Sequence, residues 1–405
     1  MIFKKLLLSV CFSALVVGYS EAQFRPILPN NAISTSVPFL LISPDARAAG
    51  MGDGGVASTP DAASGHWNPA KFAFIDKPGE VALSLTPWLR QLVSDVNFAY
   101  LAAYGKVGKN STLSGSLKFF SLGNIAFTDE QGNSLGNFNP NEFEIASSYS
   151  TKLSKHFSIG VGLKFIYSNL AGGIAVQGAE PRPGIAGGGD IGFFYNNKTK
   201  VDKKELNYSI GLSILNIGNK ITYTTSAERD FIPTNMKLGF SVMYDIDEYN
   251  SIGGLFDVSK LLVPTPPQYL LSSNGITDSI DNNGNRVIEE GKEPNVPVIQ
   301  GMVQSFYDAP GGFSEELKEL NISLGAEYWY RKQFAVRAGY YYEHPTKGNR
   351  QYLTFGVGFR MNVFGLDVAY LAPIAQRHPL QNTLRFTLSF GLDAFKSNQK
   401  ETPGN

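Results

Sequence analysis

Cysteine, histidine and long apolar runs are all scarce in this chain, and so is any excess of charge. One cysteine, Cys11, and four histidines occur in 405 residues. Cys11 lies inside an apolar run near the N-terminus, so the rest of the chain has neither a disulfide framework nor a thiol nucleophile. The 35 Lys and Arg residues balance 35 Asp and Glu. A neutral chain has no basic field with which to hold nucleic acid. Past the first two dozen residues no apolar run reaches the ~20 residues that a helix needs to cross a bilayer, which excludes a bundle of membrane helices.

What is present begins with "MIFKKLLLSVCFSALVVGYSEAQF". Lys4 and Lys5 precede an apolar run from Leu6 to Gly18, and Ser20 and Ala22 follow in a small-x-small arrangement. That order reads as a secretory signal peptide over 1–22, cleaved before Gln23. The run is too short for a membrane anchor. Bulky Val10 before Cys11 and the split apolar segment speak against a lipoprotein. Removing Lys4, Lys5 and Glu21 leaves 33 basic and 34 acidic residues, so the mature chain stays neutral.

Glycine and aromatic residues are abundant, with 42 Gly, 28 Phe and 19 Tyr, and they fall in an alternating pattern. In "HFSIGVGLKFIYSNL" the residues Phe157, Ile159, Val161, Leu163, Phe165 and Tyr167 share one face, opposite Ser158, Gly160, Gly162 and Lys164. Strict period two is a strand with one apolar face. The pattern recurs in "LNISLGAEYWY", "QYLTFGVGFRM" and "NTLRFTLSFGL". Segments of this length, with small or charged residues opposite the apolar row and aromatics near the ends, fit an all-β, transmembrane antiparallel β-barrel better than a soluble sandwich.

Strands are expected near 79–87, 95–104, 111–121, 142–152, 156–168, 187–196, 206–216, 233–244, 249–260, 320–330, 333–342, 351–361, 363–371 and 382–392. That is an even count of about 14. The links alternate as well. Those at 105–110, 153–155 and 245–248, the "RK" turn and Asn362 are short; 122–141, 169–186, 217–232 and 261–319 are long, and 197–205 is intermediate. Outer-membrane barrels keep short turns on the periplasmic side and long loops outside, so both termini are expected to be periplasmic.

Candidate chemistry is thin. "GNSLG" matches G-x-S-x-G, but that motif requires a strand-to-helix turn, and Ser134 lies in a polar loop between strands. His66, His156, His344 and His378 are scattered and form no metal-binding pair; each is expected in a loop or at the surface. No catalytic residue and no cofactor is expected, and the chain reads as a non-enzyme. In "DNNGNRVIEEGKE", Asp281, Asn283, Asn285 and Glu289 alternate as calcium ligands would, but Arg286 and Lys292 stand where an EF-hand loop wants Gly and Glu. The loop 261–319 is far longer than ordinary connections. Its Phe306, Tyr307 and Phe313 are costly to leave in water, so they are expected to pack on the barrel or on a partner.

One stretch remains, "SPDARAAGMGDGGVASTPDAASGHWNPAKFAF". Gly50, Gly52 and Gly55 match the dinucleotide fingerprint G-x-G-x-x-G, yet Pro44 to Ala49 read as a helical turn rather than a strand, and Pro60 follows too soon for the required helix. The stretch resembles the start of the PorV family, outer-membrane barrels of the type IX secretion system. More loosely it resembles FadL-type transporters of hydrophobic compounds, through Ala49, Gly52, Asp61, Ser64, Asn68, Pro69 and Ala70.

The resemblance to PorV implies a non-enzymatic shuttle. Such a protein binds the C-terminal signal domain of cargo leaving the translocon barrel and carries it to the attachment complex and its sortase; it can also cap the translocon's lateral opening. Long external loops, 261–319 first, would make those contacts. Two rivals are a FadL-like transporter, which needs a continuous apolar lumen and a gap in the wall, and an enzyme acting on lipid A, which needs a Ser/His or similar pair at the membrane rim. The domain plan is a plug segment over 23–77, a barrel over 78–395 and a periplasmic tail over 396–405. The small residues of the stretch would let it lie close to the luminal wall. Asp45 and Arg47 are expected to pair there with charges among Lys164, Glu327, Arg337, Arg360 and Arg385, beside Gly50, Gly52, Asn68 and Pro69.

Overall fold

The computed structural model describes residues 31–405 apart from 91–92, 94, 129–130, 171–180, 225–228, 273–277, 283, 376–379 and 393–405. The signal peptide, the first residues of the plug segment and the C-terminal tail lie outside the described residues. Fourteen antiparallel strands close into a barrel in chain order, the last pairing with the first. They are β1 Gly79–Pro87, β2 Asn97–Val107, β3 Ser111–Ser121, β4 Asn141–Lys152, β5 Phe157–Asn169, β6 Gly184–Val201 and β7 Lys204–Gly218. The second half comprises β8 Asn235–Asp245, β9 Asn250–Leu261, β10 Asn321–Tyr330, β11 Phe334–Tyr342, β12 Gln351–Met361, β13 Phe364–Pro373 and β14 Thr383–Gly391.

The two faces of each strand have opposite chemistry because successive side chains point to opposite sides of a sheet. On β5, Val161, Leu163 and Phe165 point outward, and Leu163 is 77 % exposed, while Ser158 and Lys164 are buried inside. The outward row continues around the barrel through Leu101, Leu117, Ile145, Leu324, Phe355 and Phe386. So large a bare apolar surface is untenable in water and matches the lipid-facing band of an outer-membrane barrel.

The links at 108–110, 153–156, 202–203, 246–249, 331–333 and 362–363 lie at one end of the barrel. Two of these turns place both central residues at positive φ, Asp202 with Lys203 and Arg331 with Lys332, which suits the right-handed twist of tight hairpins.

The structure departs from the expected pattern in two places. The intermediate link expected at 197–205 is a two-residue turn, because β6 and β7 stay paired out to Val201 and Lys204. The sequence there, "NNKTKVDKKE", is polar on both faces, since this end of the hairpin stands clear of the apolar band and has no face to alternate. The loop expected at 122–141 contains a small hairpin of Ile125–Thr128 with Ser134–Phe138. One β-bulge interrupts the wall between β6 and β7, at Gly189/Ile191. There Asn216 adopts φ 60, and its amide donates to Asp190 Oδ1 at 2.8 Å. The bulge is therefore satisfied by a side chain, and the wall stays closed.

Candidate functional site

The segment before β1 occupies the barrel lumen. Helix α1, Ala46–Ala49, starts at Asp45, whose carboxylate accepts from the Ala48 amide at 2.8 Å and from Trp67 Nε1 at 2.8 Å. Helix α2, Ser64–Trp67, leads to Asn68, where Oδ1 accepts from the Ala70 amide and opens a 3₁₀ turn with Pro69 in first position. Proline is favoured there because its missing N–H has no partner to lose.

The plug is bonded to the wall on all sides. The Ala46 amide donates to Thr387 of β14, the Gly52 amide to Thr354 of β12, and the Gly55 and Val56 amides to Asp257 of β9. Asn68 Nδ2 donates to the Phe193 carbonyl of β6, while Ser158 of β5 and Ser213 of β7 donate to the carbonyls of Ala70 and Trp67.

Glycine makes this seating possible. Gly52 has φ +70, and a Cβ there would lie 2.6 Å from the carbonyl oxygens of Leu324 and Tyr340. The wall gives way in the same manner, since a Cβ on Gly339 of β11 would overlap the Gly52 amide nitrogen. Gly50 and Gly52 thus fit backbone against backbone, whereas Gly54 and Gly55 leave room for the side chains of Leu255 and Trp67.

The expected charge pairing holds for Arg47 and fails for Asp45. Arg47 reaches Glu327 of β10 at 2.7 Å and Asp61 at 3.0 Å. Glu327 also holds Arg337, which reaches Asp367 at 2.8 Å, and Asp367 takes Arg360 at 2.5 Å. Asp45 has no ionic partner among the described residues; capping α1 and accepting from Trp67 use its oxygens instead. Burial pushes its carboxyl above the usual range, with Asp61 adding to the effect. The plug residue that does meet a luminal cation is Asp53, paired with Arg385 at 2.6 Å. Lys164 belongs to a separate wall network, 3.0 Å from Asp190 and 3.8 Å from Glu144, which also takes Lys118.

His66 corrects the expectation of a loop or surface residue: it is buried in the plug, 4.7 Å from the Trp67 ring in an edge-on arrangement. Burial, with Lys118 and Lys237 nearby, holds its imidazole well below its usual range. His156 and His344 sit in links, whereas His378 lies outside the described residues. Ser134 opens the small hairpin and its Oγ accepts from the Gly136 amide, far from the geometry of a nucleophile elbow.

A cavity of about 430 Å³ lies between the plug and the long-loop end. Three ion pairs line it, Asp53 with Arg385, Glu343 with Arg350 and Glu319 with Lys347. A second cavity of about 230 Å³, lined by Glu205, Asp245, Trp329 and Lys332, lies toward the short turns and touches no plug residue.

The long link between β9 and β10 folds over the barrel mouth. Its helices are α3, Val298–Gln304, and α4, Phe313–Lys318. Lys260 at the end of β9 binds Glu316 at 2.9 Å and also Glu319; Lys347 binds Glu315 at 2.5 Å and Glu319 at 3.0 Å. Glu316 in turn accepts from the Asp308 and Ala309 amides. Phe231, Val263 and Val296 pack beneath.

Phe306, Tyr307 and Phe313 are exposed rather than packed on the barrel, and Phe313 is 76 % exposed. Their only ring contacts among the described residues are cationic, Lys292 over Tyr307 at 3.8 Å and Lys260 near Phe306 at 6.0 Å. Three residues that the sequence pattern did not single out, Ile299, Val303 and Leu317, join them. Ile299 and Val303 are exposed one turn apart on α3, as are Phe313 and Leu317 on α4; the i, i+4 spacing was the available signal.

Of the calcium candidates, Asp281 and Asn285 meet in one turn. Asp281 Oδ1 accepts from the Asn285 amide at 2.8 Å within a turn, and Glu289 stands on the short strand Ile288–Glu290. Asn283 lies outside the described residues. Among those described, no group of three His, Cys, Asp or Glu side chains is placed to hold a metal ion.

No curated protein sequence matches the chain. Solved structures that resemble it include the toluene transporter TodX of Pseudomonas putida, at 12 % identity and TM-score 0.46 over 89 % of this chain and 98 % of that one. The toluene transporter TbuX of Ralstonia pickettii gives 11 % and 0.43, over 85 % and 97 %. A FadL homologue of Pseudomonas aeruginosa gives 12 % and 0.40, over 89 % and 99 %. These likenesses are weak, and the fold rests on the chain's own strand pairing. The family model described as "Type IX secretion system protein PorV" matches residues 27–268, more than half of the chain. The chain, a closed and plugged fourteen-strand barrel, belongs to the PorV family, outer-membrane barrels of the type IX secretion system.

Proposed function

We propose that the protein is a shuttle of the type IX system: it takes cargo by the C-terminal signal domain as it leaves the translocon barrel and presents it to the attachment complex and its sortase. The observation that carries this reading is the loop between β9 and β10, which exposes Ile299, Val303, Phe306, Tyr307, Phe313 and Leu317 while being tied to the barrel by buried ion pairs. An apolar surface on a firmly held support is what protein partners bind; it forfeits little ordering entropy on association. The long loops then face the cell exterior, and the barrel wall begins and ends on the periplasmic side.

A FadL-like transport role finds less support. The plug occupies the lumen, three ion pairs line the cavity above it, and the bulge between β6 and β7 is closed by Asp190. A pull-down of an isolated cargo signal domain on the purified barrel tests the proposal. The intact chain should retain the domain, and removal of 264–316 should abolish retention. Equal retention by both forms would overturn the assignment to this loop.

A further inference from the structure

The plug descends through the barrel from the long-loop end to the short-turn end, and contacts with the wall mark its course. At the mouth, the Asn31 amide donates to the Thr346 carbonyl, in the link between β11 and β12, at 3.0 Å. The Asn31 side chain donates to Glu315 Oε1 of α4 at 2.9 Å and to the Pro266 carbonyl at 3.2 Å. The Ser36 amide donates to the Phe231 carbonyl in the link between β7 and β8. All of these links belong to the long-loop end.

Lower down, Val37, Phe39 and Leu40 pack against Phe98, Phe120, Ile166 and Ile221 of the wall and its links. The helices α1 and α2 then cross the lumen, and Phe72 meets Tyr104 of β2 with ring centroids 5.7 Å apart. At the floor, the Pro78 carbonyl accepts from the Lys106 amide at 2.9 Å and the Asp76 carbonyl from Lys106 Nζ at 3.3 Å. Lys106 adjoins the short link 108–110, and β1 begins on this side at Gly79.

The direction of this descent decides where the mature chain starts. An even number of strands brings both ends of the wall to one side, which alone would put both termini in the periplasm. The plug spans the lumen once more and reverses that result for the N-terminus. With the signal peptide cleaved before Gln23, only eight residues, Gln23 to Asn30, precede Asn31. Fully extended, they reach at most ~29 Å, less than the ~30 Å hydrocarbon core that separates the two sides. The lumen they would return through is taken by the plug, and the closed ring of paired strands offers no side exit.

We propose that the mature chain begins on the cell-surface side of the membrane and enters its own barrel from outside. This rests on the reading that the long loops face outward. Glu315, which Asn31 holds, stands between Phe313 and Leu317 on α4. The start of the mature chain therefore borders the loop face assigned to cargo and forms part of the surface that partners meet.

The mature chain contains no cysteine, so single thiols can be placed without background. Three full-length variants are expressed in cells: Arg25→Cys at the N-terminus, Glu290→Cys in the long loop and Lys155→Cys in a short turn. Each is treated with a maleimide on a polyethylene glycol chain too large to pass the outer membrane. Heat-modifiable gel migration verifies the folded barrel, and reaction in denaturant verifies each thiol. On intact cells Arg25→Cys should be modified to the same extent as Glu290→Cys, and Lys155→Cys only after permeabilisation. If Glu290→Cys and Lys155→Cys exchanged behaviour, the orientation of the barrel would be wrong, yet Arg25→Cys should still follow Glu290→Cys. Arg25→Cys reacting together with Lys155→Cys, or only in denaturant, would overturn the proposal.

Discussion

Replacing Gly52 by alanine tests the seating of the plug through a single methyl group. Two costs add. A non-glycine residue held in the left-handed region loses ~1–2 kcal/mol, and Gly52 sits at φ +70. Forcing a methyl against well-packed neighbours costs a further ~1–3 kcal/mol. Relief is hard here, because the atoms in the way are the backbone oxygens of Leu324 and Tyr340, 2.6 Å from the new carbon, and they belong to paired strands of a closed barrel. A value of ~3 kcal/mol, inside the summed range of ~2–5 kcal/mol, corresponds to roughly a hundredfold shift in the plug's opening equilibrium at 1.4 kcal/mol per tenfold. Amide hydrogen exchange reads this directly. In Gly52→Ala the amides of 46–57 should exchange about a hundredfold faster than in the parent, by the same conversion, while those of β10 to β12 keep their protection. Unchanged protection of 46–57 would refute the close-approach argument.

Three further outcomes follow from the same geometry. Arg47→Met removes one partner from a buried ionic network, which ordinarily costs ~3–5 kcal/mol; Glu327 keeps Arg337, so the low end is expected, as faster plug exchange with an intact barrel. Phe313→Ser combined with Leu317→Ser should leave the heat-modifiable migration of the barrel unchanged and lower retention of a cargo signal domain at least tenfold in a pull-down titration, a loss of ~1.4 kcal/mol. Burial, reinforced by Glu316 and Glu319, pushes the Asp308 carboxyl up to about 6. The folded loop then binds its proton more tightly than the unfolded loop, so this group makes the loop more stable as pH falls from 7 through 6, levelling off near 4, close to the ordinary aspartate value. Exchange of the amides in 308–319 at pH 7.5 and 5.5 checks the direction, and Asp308→Asn should remove the dependence.

The barrel was readable in the sequence because lipid imposes a demanding pattern. Outward residues such as Leu163, Phe355 and Phe386 must be apolar, and alternation follows from the pleat alone. Where that demand lapses, the signal fades. "NNKTKVDKKE" forms a paired hairpin that periodicity could not reveal, and the hairpin around Ser134 was hidden for the same reason. The plug was readable through its glycines, whose purpose became clear only when Gly52 met Gly339. Its charge partners were legible in part. Arg47 found Glu327 as expected, but Asp45 was drawn into capping α1 and binding Trp67, local tasks that compete with ion pairing at short range.

The mouth of the barrel was the least legible region. Nothing in "SEELKEL" distinguishes Glu316 and Glu319, buried against Lys260 and Lys347, from the solvated glutamates of any surface helix, since their partners come from β9 and the link between β11 and β12. The exposed Phe306, Tyr307 and Phe313 were marked by cost alone. Barrel or partner could have covered them, and the fold removes the first option.

Where cargo goes when this chain is missing decides whether the protein is a shuttle. In a strain from which it has been deleted, surface protease digestion and fractionation of a type IX cargo protein give the most direct reading. Cargo should be held in the periplasm with its C-terminal signal domain uncleaved, and secretion should be restored by the parent chain but not by one lacking 264–316. Cargo reaching the cell surface, processed and attached, in the deletion strain would contradict it.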